Sequence, residues 1–138
     1  MSNPTAAMIV IGDEILSGRT RDSNMHYLAG QLTEAGIDLK EVRVVGDERG
    51  TIIAAVQAMS QAYDYVFTSG GIGPTHDDIT ADCIAASFDA SIDVRDDARA
   101  ILAEHYAKSG TELNTARLRM ARIPEGAELI DNPVAAAP

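Results

Sequence analysis

The sequence predicts an α/β fold with a mainly parallel sheet covered by helices on both faces. Three observations carry this. A continuous apolar run, Ala6-Ala7-Met8-Ile9-Val10-Ile11, ends at Gly12 and reads as a strand buried on both sides. Two further β-rich segments, 37–45 and 64–69, each follow a stretch of helical periodicity. Strands alternating with helices in this way fold as a parallel sheet, which binds ligands beyond the carboxyl ends of its strands.

The elements follow in order. Asp22 or Ser23 starts a helix running to about Gly36, with Met25, Leu28, Ala29, Leu32 and Ala35 on one face. Residues 37–45 return as a strand ending in Val42, Val44 and Val45. A helix over about 49–62 faces the core through Ile52, Ile53, Val56 and Met59, and 64–69 is a strand. A third helix, about 79–88, shows Ala81, Ile84, Ala85 and Phe88 at helical spacing. A fourth, about 96–108, shows Ala98, Ile101, Leu102 and His105. A short helix near 114–121 and a strand near 127–130 complete the chain, which is expected to form a single domain over 1–138.

Composition narrows the function. The chain has 138 residues, 46% of them apolar, and no apolar run of membrane-spanning length. Cys83 is the only cysteine and reads as a small buried residue. A lone thiol fits a reducing compartment, so a cytoplasmic protein is expected. The formal net charge of −10 repels phosphate backbones, which argues against nucleic acid as a partner. The last residues, Asn132 to Pro138, end without a polar terminus, so the natural protein is expected to continue or to have been cut there.

Three loops should meet at the carboxyl edge of the sheet: 12–24, 46–49 and 69–80. The last holds Gly70-Gly71-Ile72-Gly73-Pro74-Thr75-His76-Asp77-Asp78 between a strand and a helix. Glycines there let backbone amides approach an anion closely, Pro74 stiffens the turn and Thr75 adds a hydroxyl. Asp77 and Asp78 would repel a phosphate unless a divalent cation lies between, and Mg²⁺ takes one or two carboxylates with water and phosphate oxygens. His76 either assists that ion or donates a hydrogen bond. The plainer alternative is that Asp77 or Asp78 caps the following helix, and that Asp47 caps the one near Arg49. Ser17 either binds phosphate or forms a turn. Asp22 and Asn24 start a helix, with ligand contact a further role. His26 and His105 read as structural or exposed, and Arg117, Arg119 and Arg122 as a solvated helix face.

The run Ser69-Gly70-Gly71-Ile72-Gly73-Pro74-Thr75-His76-Asp77-Asp78-Ile79-Thr80 resembles the signature of the MoaB/Mog molybdopterin-binding domain, and more closely its version at the N-terminus of CinA-type proteins. Ile11-Gly12-Asp13-Glu14-Ile15-Leu16-Ser17-Gly18 with Asp22-Ser23-Asn24, Val45-Gly46-Asp47, Asn114, Ala121 to Ala127, and Asn132-Pro133 agree with it. The resemblance implies a three-layer α/β sandwich and a homo-oligomer, trimeric in Mog types and dimeric in CinA types. It implies metal-dependent hydrolysis of the pyrophosphate in ADP-ribose- or FAD-like dinucleotides. Molybdopterin binding or adenylylation is the alternative, and a non-catalytic binding or assembly module a third.

By the same resemblance Asp47 and Asp78 are the acidic working residues. Gly70, Gly71, Gly73 and Thr75 line the phosphate, and Asp13 and Glu14 hold or shape the first loop. With Gly12, Ser17, Asn24 and Pro74 they make up the expected binding set, and Asp47, Asp77 and Asp78, with His76, the expected cation ligands. Ala135 and Ala136 stand where the family reads Gly-Thr, which would alter the late ligand loop. No C-terminal deamidase segment is present, so nicotinamide-nucleotide deamidation is not expected.

Overall fold

The computed structural model describes residues 2–132 and resolves into two compact units, Met1–Gly70 and Gly71–Pro138. The first is built from β1 (Thr5–Ile11), α1 (Asp13–Leu16), α2 (Asn24–Glu34), β2 (Asp38–Val45), α3 (Arg49–Ala62) and β3 (Tyr65–Ser69). Its strands form one parallel sheet in the order β2-β1-β3. β1 is central, and every residue from Ala6 to Ile11 is at most 3% exposed. Successive side chains of a strand point to opposite faces, so both faces are covered. The connections explain this. The chain runs from β1 to β2 on one side, then crosses back over β1 to β3. Right-handed crossovers in opposite directions lay α2 and α3 on opposite faces.

α3 buries Ile52, Ala55, Val56 and Met59, the i, i+3, i+4, i+7 stripe of an amphipathic helix. Each such apolar side chain contributes on the order of 1.5–3 kcal/mol when removed from water. α2 departs from its expected face. Only Leu32 is buried, Leu28 and Ala29 are half-buried, and Met25 and Ala35 are exposed. The helix packs on β2, an edge strand, which offers sheet beneath only part of its width. Asp22 rather than Ser23 holds the start of α2, accepting hydrogen bonds from the amides of Asn24 (3.2 Å) and Met25 (3.0 Å).

The second unit holds α4 (Thr80–Ser87), β4 (Ile92–Val94), α5 (Asp96–Ser109), α6 (Thr115–Leu118), a 3₁₀ turn (Arg119–Ala121) and β5 (Arg122–Pro124). β4 and β5 pair antiparallel. The strand expected near 127–130 is not there; β5 lies upstream. The chain turns over Glu125 and Gly126, with the Ala127 amide donating to the Pro124 carbonyl at 3.1 Å, and this ends the strand before it reaches 127. The core gathers Ala98, Leu102, Ala121 and Ile123, with Val94, Tyr106 and Leu118 packed against them.

Two expected core residues face out. Ile101 is 39% exposed because Ala98 and Leu102 set the buried line of α5. Phe88 is 58% exposed; it follows the last helical residue of α4, with φ −112° and ψ 14°, and so leaves the face that buries Thr80, Cys83 and Ala85. The expected burial of Cys83 is met.

Candidate ligand site

In the first unit the loops after β1 and β2 and the end of β3 lie at the carboxyl edge of the parallel sheet. Two side-chain clamps join them. The Asp13 amide donates to Asp47 Oδ2 at 3.1 Å, while the Asp47 amide donates to Asp13 Oδ1 at 3.0 Å. Asn24 Nδ2 donates to Ser69 Oγ at 2.9 Å, tying the start of α2 to the end of β3. Gly70 then takes φ +95°, and a Cβ there would drive into the Ile11 carbonyl oxygen. Only glycine lets the chain leave β3 so close to β1.

Between the loop after β1 and the end of β3 lies a cleft of about 250 Å³, lined by Glu14, Thr20, Arg21, Asp22, Asn24, Ser69 and Gly70 with Val10 and Ile15; Asp47 is not among its lining residues. Small-molecule pockets commonly run from about 300 Å³ upward, so this one suits a phosphate or diphosphate group rather than a whole dinucleotide. Glu14 folds its carboxylate back over Gly12, where a Cβ would lie 2.6 Å from Oε1. Asp13 does the same over Gly46, with 2.5 Å from Oδ1. Ser17 Oγ donates to the Glu14 carbonyl at 3.3 Å and accepts from Arg19 Nε, which is the turn-forming role. Thr20 and Arg21 were not singled out from the sequence. The polar run Ser17 to Asn24 held them, but nothing in it marked which side chains reach the cleft.

In the second unit the remainder of the glycine-rich loop folds on itself. Asp78 Oδ2 accepts from the Thr75 amide (2.9 Å) and the Thr75 hydroxyl (2.7 Å), and the Asp78 amide returns to the Thr75 carbonyl (3.1 Å). The carboxylate lies over Gly73, where a Cβ would stand 2.8 Å from Oδ2. His76 Nε2 is 3.2 Å from Asp77 Oδ1, and both side chains are exposed.

The capping alternatives do not hold. The residue before α4 is Ile79, with no side-chain cap, and the residue before α3 is Glu48, again with none. Asp78 bonds instead to Thr75 within its own loop, and Asp47 to the Asp13 amide in the loop after β1. The arginines are not a solvated face either. Arg117 lies 5.4 Å from the Tyr106 ring centre, Arg119 buries its Nε, and Arg122 pairs with Asp82 at 2.8 Å. Pro133, Ala135 and Ala136 lie outside the described residues.

The fit of a divalent cation rests on donor chemistry. Asp47 and Asp78 each commit one carboxylate oxygen to a loop amide. Among the described residues no group of three or more His, Cys, Asp or Glu gathers as a metal cage. Hard carboxylate oxygens in ones and twos suit an ion that keeps its waters and arrives with phosphate, as Mg²⁺ does.

The comparisons bear on this arrangement. The family described as "Probable molybdopterin binding domain" matches residues 7–138. The chain belongs to this family. Within this molybdopterin-binding family it lies on the CinA-like side. It is 38% identical over 133 residues, 95% of its length, to a CinA-like protein of Myxococcus xanthus, of which it spans 31%. It is 52% identical over 95 residues, 69% of its length, to a protein of Caenorhabditis briggsae named probable FAD synthase, of which it spans 18%. The solved structure of a CinA protein of unknown function from Thermoplasma acidophilum superposes with a TM-score of 0.89 at 35% identity, covering 99% of this chain and 79% of that one. The chain therefore spans well under two thirds of these curated relatives. Among the described residues no helix is long and apolar enough to cross a membrane.

Proposed function

We propose that this domain hydrolyses the pyrophosphate linkage of ADP-ribose- or FAD-like dinucleotides with the help of a divalent cation. The observation that carries the reading is the diphosphate-sized cleft at the carboxyl edge of the parallel sheet, where Asn24, Ser69, Gly70 and Arg21 surround a space closed below by Val10 and Ile15. The likeness to a protein named for FAD metabolism supports a dinucleotide over a simple phosphate. Arg21 offers a guanidinium to phosphate oxygens and Asn24 an amide hydrogen. Asp13 holds the loop that carries Asp47, and Thr75 holds the turn that carries Asp78.

Hydrolysis adds a water oxygen to one phosphorus and breaks that phosphorus's bond to the bridging oxygen, which leaves with the other phosphate; it yields two monophosphates, and water's two protons are divided between them and the solvent. A divalent ion, when bound, polarises the phosphate and lowers the pKa of the attacking water. Asp47 and Asp78 are the carboxylates assigned to cation and proton.

The test is incubation with ADP-ribose or FAD in Mg²⁺, Mn²⁺, Co²⁺ or Ni²⁺. Wild type should release AMP, and Asp47→Ala and Asp78→Ala should each lose about a hundredfold or more in rate. Equal rates for wild type and Asp78→Ala sink the reading. A second reading, pterin binding or adenylylation without hydrolysis, is favoured by the family match over residues 7–138. Copurified pterin fluorescence with no AMP release selects it, and binding of either ligand without any turnover selects a non-catalytic module. Oligomerisation as a dimer or trimer belongs to the same proposal, checked by light scattering.

A further inference from the structure

Ser69 ends β3 at the carboxyl edge of the parallel sheet, beside Val10 of β1, and lines the cleft of the first unit. Its hydroxyl is not left to rotate. Asn24 Nδ2 donates to Ser69 Oγ at 2.9 Å, across 45 residues of sequence. A serine hydroxyl carries one hydrogen and accepts through two lone pairs. With one lone pair taken by the Asn24 amide, the hydroxyl hydrogen must turn away from that amide. Ser69 is thereby set as a donor.

Asn24 is itself held in place. Asp22 Oδ1 accepts from the Asn24 amide at 3.2 Å, and Oδ2 from the Met25 amide at 3.0 Å. Both oxygens of that carboxylate are engaged at the start of α2, which fixes the residue that reaches Ser69. Asp22, Asn24 and Ser69 line one cleft, together with the guanidinium of Arg21. The orientation matters because a phosphate oxygen only accepts. A freely turning hydroxyl would present a lone pair to that oxygen as readily as a hydrogen, and would lose rotational freedom on binding. Setting the donor beforehand removes both costs.

We infer that Ser69 donates to an anionic oxygen of the bound phosphate group, and that Asn24 is a positioning residue that acts through it by holding the hydroxyl in its donating orientation. The second hydrogen on Asn24 Nδ2 remains for direct contact with the ligand. The pair makes and breaks no covalent bond; it recognises charge. This rests on the reading above only for the placement of a phosphate or diphosphate in this cleft, and it does not require that the ligand be hydrolysed.

The experiment separates binding from turnover. Methylenediphosphonate, whose bridging carbon resists hydrolysis, is titrated calorimetrically into the 138-residue chain in Mg²⁺, and ADP-ribose hydrolysis is assayed separately. Wild type should bind it. Ser69→Ala should weaken binding by about tenfold or more, the worth of a hydrogen bond to a charged acceptor. Ser69→Thr, which keeps the hydroxyl, should recover most of that loss. Asn24→Ala is then made in both backgrounds. It should cost about fivefold more in wild type than in Ser69→Ala, where no hydroxyl is left to orient. Equal losses in the two backgrounds mean that Asn24 acts by its own contact or by supporting the loop, and overturn its positioning role. Undiminished binding by Ser69→Ala, or no binding by wild type, overturns the inference whether or not Asn24→Ala folds. The expected pattern without AMP release supports the inference and removes the hydrolysis reading.

Discussion

Among the described residues, Glu14 leans its carboxylate over Gly12, Asp13 over Gly46 and Asp78 over Gly73. At each place the missing Cβ is the space that the carboxylate occupies. Gly70 is tightly constrained: its φ is +95°, and the Ile11 carbonyl oxygen leaves no room for a Cβ. Gly70→Ala should destabilise the chain by more than about 2 kcal/mol, combining left-handed strain with a backbone clash. Urea denaturation checks this, and a loss below about 0.5 kcal/mol would refute the geometry. Residue identity was legible here and partnership was not. Asp47 and Asp78 could be picked out as acids in polar loops. That they bond to the Asp13 amide and to Thr75, rather than to the helices ahead of them, depends on where the loops settle in space. Arg119 and Arg122 misled for a related reason: long stems carry their charged ends into a structure that periodicity does not describe.

Among the elements, α3 and β1 were the most legible. The spacing of Ile52, Val56 and Met59 and the unbroken run from Ala6 to Ile11 state their environments directly. β4 and β5 were not, because three residues cannot show an alternation and their pairing joins positions some thirty residues apart. α2 makes a simple prediction. Gly30 is exposed in its interior, with no atom within 4 Å of an added Cβ, so Gly30→Ala should stabilise by about 0.5–1 kcal/mol in chemical denaturation.

A second prediction concerns the join between β2 and α3. Glu41 accepts from Arg43 Nε and the Tyr63 hydroxyl, both at 2.8 Å, and these bonds hold its carboxyl below the usual range. A depressed folded-state pKa gives stability that is present above the unfolded value and lost as pH falls through the folded one. Glu41→Gln should therefore lower the urea midpoint at pH 7, and the difference should close below about pH 4. A difference that persists at pH 3 would point to lost packing instead. The Tyr63 hydroxyl, bonded to the same carboxylate, is shifted up, so its contribution holds below about pH 10 and fades above it.

For the whole molecule the net charge of −10 dominates. Like charges repel in any compact state, and raising ionic strength from about 0.01 to 0.15 M shortens the screening length from about 30 to 8 Å. The melting temperature should rise over that interval in sodium chloride, and a flat or falling profile would mean that local ion pairs such as Arg122–Asp82 outweigh the overall repulsion. The mainly parallel α/β architecture was legible at this scale from the alternation of strand and helix. The resolution into two compact units was not, since it arises from which contacts are dense and leaves no break in composition at Gly70. One small feature has a large thermodynamic consequence. Because Asp13 and Asp47 each cap the other's amide, the loops are self-satisfied at rest. A ligand that recruits Asp47 enters an exchange rather than an addition. It must displace an internal partner, it releases an amide that can turn to an anion, and the affinity measured is the difference between the two bonds.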